Sequence, residues 1–152
     1  MALFDLQSRR LLRLARGYPG EASFSPNGRL LAYDAEGPIF VHDLASGKTR
    51  PVTSNRGDNI EDSGPIWSPD GQTIVYEHGV DLRAVQIDGT NDQQLTSAGS
   101  YADGCQSFSP AGGRIAFRRD RIDSLTGTGV ATVILMDADG RNQQAVASQL
   151  NP

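Results

Sequence analysis

Two stretches of this chain gather the side chains that chemistry needs. In "SNRGDNIEDSG", Arg56, Asp58, Glu61 and Asp62 fall close together, Glu77 and His78 follow in "YEHGVD", and Tyr101 and Asp103 sit in "SYADGC". Several carboxylates beside one imidazole form a donor set for a divalent cation, because hard cations collect oxygens and imidazole serves transition metals. In the second stretch, the "RRDRIDSLTGTG" loop, Arg118, Arg119 and Arg121 offer planar forks suited to a carboxylate or phosphate. Each group also has a plainer reading: the acids are solvated turn-formers, and the arginines pair with Asp120 and Asp123. We assign no metal ligand and no cofactor, and keep the eleven residues from Arg56 to Arg121 as a candidate binding set.

Nucleophilic catalysis finds little support. There is no G-x-S-x-G elbow, and His42 on a strand and His78 in a loop come with no Ser or Cys at a motif spacing. Cys105 enters an inner strand and reads as a small core residue. The "DADG" from Asp137 to Gly140 looks like part of a calcium loop, but no acid follows where the bidentate Glu would have to stand, so it reads as a turn. The expectation is a protein without catalytic residues.

What positions these side chains is a repeat. "FSPNGRLLAY" begins at Phe24, "WSPDGQTIVY" at Trp67 and "FSPAGGRIAF" at Phe108, at intervals of 43 and 41 residues. An aromatic-ended strand stops at Pro, which cannot continue a central ladder; an Asn-Gly, Asp-Gly or Ala-Gly pair supplies positive φ; and a short apolar strand follows. Phe24, Trp67 and Phe108 are expected in the core. Downstream of each comes a second hairpin, such as "VDLRAVQIDGTNDQQLT", with an apolar strand, an Asp/Gly turn and a more polar strand.

Four strands in about 42 residues is the period of a β-propeller blade, whose faces are buried only by neighbouring blades. The expected fold is all-β: a single propeller-type domain over residues 1–152, with a half blade at 3–15 and blades at 21–54, 64–97 and 105–148. The half blade rests on "FDLQSRRLLRLAR", which aligns with "HDLASGKTRPVTS" and reads as two outer strands. Such a start normally borrows its inner pair from the far end of the chain, but here the last segment is itself an outer strand. The ring is therefore expected to close with another copy, with another chain, or as part of a longer propeller.

The totals agree with a turn-rich globular protein: 152 residues, 38% hydrophobic, 21% charged, with 17 Gly and 8 Pro. A net charge of -4 gives no footprint for nucleic acid, and the one cysteine excludes an internal disulfide. The basic "RRLLRLAR" aligns with a strand pair rather than a membrane-surface helix, no run approaches a membrane span, and the N-terminus lacks the pattern of a secretory signal. A cytoplasmic location is the expectation as written, with the periplasm as the alternative.

The motifs "WSPDG", "FSPNG", "FSPAG" and "MDADG" resemble the TolB-type β-propeller repeat, and the resemblance runs from about residue 3 to 148. It implies an interaction platform, periplasmic in the bacterial cell envelope. Similar propellers stand before the hydrolase of prolyl oligopeptidases, in tricorn-like peptidases and in oligogalacturonate lyases. The expectation is a non-catalytic module for a protein or peptide that also self-associates; the alternatives are the gating propeller of a prolyl-oligopeptidase-like peptidase and, behind it, a metal-dependent polysaccharide lyase.

Overall fold

A computed structural model describes residues 2–5, 9–13, 19–54, 57–122 and 129–151. Among them lie fourteen strands and no helix. β1 (Ala2–Asp5) and β2 (Arg10–Arg13) form a two-stranded sheet. Three antiparallel four-stranded meanders follow: β3 (Pro19–Phe24), β4 (Leu30–Ala35), β5 (Ile39–Asp43) and β6 (Thr49–Pro51); β7 (Asp62–Trp67), β8 (Thr73–His78), β9 (Asp81–Gln86) and β10 (Gln93–Gln94); β11 (Ala102–Phe108), β12 (Arg114–Ile122), β13 (Gly129–Asp137) and β14 (Gln144–Asn151). The inner strand β7 lies against both β3 and β11, so the sheets stack side by side around a common axis.

The serine-proline repeat makes the first turn of each sheet. Ser25, Ser68 and Ser109 donate their amides to the carbonyls of Leu30, Thr73 and Arg114, each at 2.9 Å. The same three residues donate back to the serine hydroxyls at 3.0, 2.9 and 3.1 Å. Proline fits next because no amide is required there. The residue two after it must turn left-handed to bring its amide back to the serine carbonyl, and Gly28, Gly71 and Gly112 do so at φ of 69, 71 and 75°. Asn27 and Asp70 each accept the serine hydroxyl, at 2.8 and 2.5 Å, while Ala111 in the third copy cannot. The turns also stack: Pro26 and Pro69 lie 3.6 and 3.4 Å from where side chains on Gly71 and Gly112 would begin.

Alternation on the strands divides the core in two. Ala32, Ile39, Val41 and Val52 of the first sheet meet Trp67, Ile74, Tyr76 and Val85 of the second. From the opposite face of the second sheet, Val75, Leu82, Ala84 and Leu95 meet Ile115, Phe117, Ile134 and Met136 of the third. Both faces of the middle sheet are thus buried, which explains why "TIVY" is a continuous apolar run rather than an alternating one. Polar links join the sheets as well: Trp67 Nε1 donates to the Ser23 carbonyl at 3.0 Å, and Ser23 Oγ to the Pro65 carbonyl at 2.7 Å.

The outer faces correct one expectation. Trp67 is 7% exposed but Phe24, at the same place in the repeat, is 52% exposed. Trp67 and Phe108 each pack toward the inner strands of the sheet before them, and among the described residues no inner strand lies in front of β3. At the far end, Val133 is 42% exposed where its counterpart Leu82 is 0%. Phe24 in the first sheet and Val133 in the last are therefore apolar groups left exposed at positions that stacking covers elsewhere, while Leu31 and Tyr33, on the side of the first sheet away from the second, are buried.

Candidate functional site

The connections between sheets and the turns between second and third strands gather on the edge opposite the serine-proline turns. Asp62 begins the inner strand of the second sheet and donates its amide to the Gly37 carbonyl at 2.8 Å; Asp103 does the same in the third sheet with Val80 at 2.9 Å. Both side chains are buried. Each is paired in register with a base on the next strand, Asp62 opposite His78 and Asp103 opposite Arg119, while the same position in the first sheet holds Pro19 and Ala35.

His78 Nδ1 is 2.8 Å from Asp62 Oδ1 and Nε2 is 3.1 Å from Asp58 Oδ2. An imidazole donates from both nitrogens only as the imidazolium, so this geometry suits a cation held between two carboxylates. The other Asp62 oxygen accepts from Thr53 Oγ1 at 2.5 Å, and Thr53 accepts the Ile39 amide at 2.9 Å. Asp62 thus joins the end of one sheet to the start of the next. Asp58 is held below the usual carboxylate range, first by the Ile60 amide and then by His78.

Arg119 grips Asp103 through two nitrogens at 2.6 Å each, with its guanidinium 5.3 Å from the Phe117 ring centre and 5.9 Å from that of Tyr101. The Asp103 bonds raise the arginine further above its ordinary value. On the inner strands, Glu77 accepts the Cys105 amide at 3.1 Å and Asp34 accepts that of Glu21 at 2.6 Å. Burial pushes both acids up, and Glu21 adds repulsion to each. Gly104 makes room for Glu77, whose Oε1 lies 2.7 Å from where a side chain would start.

Several expectations change here. Arg118, Arg119 and Arg121 lie on β12, not in a loop, because the β12–β13 hairpin is longer than its counterparts. Arg118 pairs with Asp120 at 2.8 Å as expected, but Arg119 takes Asp103, Arg121 is exposed, and Asp123 lies outside the described residues, as does Arg56. His78 and Glu77 end strand β8 rather than occupying a loop. Cys105 is exposed, not core: it sits in a bulge of β11 at φ 54°, which turns it out of the pleat. The charged group beside it is the Glu77 carboxylate, whereas reactive thiols sit beside cations. Asp62 and Asp103 are buried partners, not solvated turn charges, while Glu61 stays exposed on a cleft of about 300 Å³. Among the described residues no three His, Cys, Asp or Glu side chains are arranged to hold a metal ion.

Ile60 and Val80 were not singled out from sequence, yet both are exposed on this edge with Tyr101. Ile60 reaches across to Gly79, its Cγ2 3.1 Å from where a side chain would start, so apolar and paired polar groups form one surface.

Among the described residues, three stacked four-stranded antiparallel blades and a further two-stranded sheet define a β-propeller fold that is not closed into a ring. The Tol-Pal system protein TolB of Alkalilimnicola ehrlichii is 38% identical over 65 residues, which span 40% of this chain and 14% of that protein. Among solved structures, a TolB-assigned protein of Agrobacterium tumefaciens superimposes with a TM-score of 0.73 at 24% identity, over 91% of this chain and 52% of the other. An oligogalacturonate lyase of Vibrio parahaemolyticus gives 0.68 at 16%, over 98% and 46%, and a nidogen/laminin complex gives 0.66 at 17%, over 84% and 47%. The chain therefore spans about half the length of these structures. No protein-family model matches it. Among the described residues no helix is long and apolar enough to cross a membrane.

Proposed function

We infer that this chain is a non-catalytic interaction module that presents its loop edge to a protein or peptide and associates through its open sheet faces. One observation carries the reading: on that edge the acids and bases that could act as catalysts are engaged with one another, Asp58 and Asp62 with His78 and Asp103 with Arg119, while Ile60, Val80 and Tyr101 stand exposed among them. Exposed apolar and aromatic groups ringed by polar ones are what a protein partner buries. The similarity to TolB favours the same role and the periplasm over the cytoplasm.

The alternative readings are the gating propeller of a prolyl-oligopeptidase-like peptidase and a metal-dependent polysaccharide lyase; similarity to the lyase fold keeps the second in view. The test uses the purified chain, chromogenic prolyl peptides, and oligogalacturonate with and without Mn²⁺. No turnover is expected. A peptide selected from a random library against the chain is expected to lose at least about tenfold in affinity when Tyr101→Ala is introduced, the scale of an aromatic anchor. Hydrolysis or lyase turnover, or selected peptides indifferent to Tyr101→Ala and Ile60→Ala, would overturn the reading.

A further inference from the structure

The two inter-sheet junctions repeat the same positions with different residues. At the first, Trp67 packs with Leu30 and Ile87 at its margin, and Arg50 crosses from β6 to donate Nη2 to the Ile87 carbonyl at 2.6 Å. At the second, the corresponding residues are Phe108, Thr73, Ala138 and Gln93, all smaller or shorter. The correspondence is structural as well as sequential: Ile87 donates its amide to Gln72 and Ala138 to Gly113, Leu30 and Thr73 close the same serine turn, and Arg50 opposes Val41 as Gln93 opposes Ala84.

All four replacements line one pocket of about 310 Å³ on the serine-proline edge between the second and third sheets. Asp70 and Asp139 also line it, and no lysine or arginine does. Asp139 is the counterpart of Asp88 at the first junction. Asp88 is held low mainly by the Thr90 hydroxyl and amide, with Arg50 contributing its positive charge. Asp139 keeps the equivalent amide bond, from Arg141 at 3.0 Å, but has lost the crossing arginine; the Arg141 side chain meets it only loosely, at 3.8 Å on the exposed surface.

We propose that this pocket receives the guanidinium of an arginine presented by a partner peptide, in the place that Arg50 occupies one junction earlier. The guanidinium donates to the Ala138 carbonyl and the Asp139 carboxylate, its aliphatic stem lies along Phe108, and Asp70 adds a second negative charge across the pocket. The pair of carboxylates disfavours phosphate and carboxylate ligands. This pocket is on the opposite edge from Ile60, Val80 and Tyr101, so its test is independent of theirs.

The experiment titrates Nα-acetyl-argininamide into the ¹⁵N-labelled chain. Saturable shifts are expected at Thr73, Gln93, Ala138 and Asp139, and Nα-acetyl-citrullinamide, the uncharged isostere, is expected to bind at least about tenfold more weakly. Gln93→Arg rebuilds the first junction's arrangement from an exposed position and is expected to abolish binding without lowering the melting temperature. Asp139→Asn is expected to weaken binding by about tenfold or more. Absence of saturable shifts, shifts centred elsewhere, equal binding of the citrulline compound, or binding that survives Gln93→Arg and Asp139→Asn would overturn the proposal.

Discussion

Trp67→Ala is expected to cost about 3 to 5 kcal/mol, the scale for truncating a large buried aromatic, and to be the most damaging single substitution considered. The indole fills the junction between the first two sheets, against Ala32, Val41 and Ile74, and its nitrogen satisfies the Ser23 carbonyl. Alanine would leave a void and delete the indole hydrogen bond that ties the second sheet to the first, and the two penalties add in sign. Urea unfolding monitored by circular dichroism measures this directly. A companion substitution, Phe24→Ala, removes an aromatic at the same repeat position that is half exposed, and should cost far less. Equal losses for the two would mean that the sheets do not stack in the order described.

The second large effect is expected at Asp103→Ala, about 2 to 3 kcal/mol. Removing one partner of a buried ion pair costs about 3 to 5 kcal/mol because the other charge is stranded. Arg119 is partly open to solvent and keeps contacts with Gln143, Phe117 and Tyr101, so the value is discounted for screening. Arg118→Ala is the contrast: its pair with Asp120 is exposed, and the change should stay within about 0.5 kcal/mol. Denaturation of the three proteins under one condition checks both statements. A loss below about 0.5 kcal/mol for Asp103→Ala would remove the pair from among the links that hold the two inner strands of the third sheet together.

The fold was legible because its determinants are local and repeated. Serine, proline and glycine at fixed offsets encode one turn three times, and the runs after them, Leu31 to Tyr33 and Ile74 to Tyr76, are apolar without alternation, and all six of these residues are buried. The site was legible only as a region. Which acid meets which base depends on strand register: Arg119 finds Asp103 across sixteen residues, not the Asp120 beside it in sequence. The signal was nonetheless present, since aligning the repeats places Asp62 over Asp103 and His78 over Arg119, a charged column inside an inner strand pair. Cys105 misled for the reverse reason. A bulge shifts it off the pleat, and an alternation pattern cannot show a bulge. Phe24 misled because the repeat predicts the orientation of a side chain but not whether a neighbour is there to cover it.

The central proposal is that these blades hide their faces by stacking, and that the exposed Phe24 and Val133 on the outer sheets mark faces that take a partner. Sedimentation equilibrium of the chain across a wide concentration range tests it most directly. The account expects reversible association above the single-chain mass, weakened by Val133→Glu or Phe24→Glu with the fold intact. A folded chain that stays monomeric at every concentration, with both variants behaving like the parent, would contradict it.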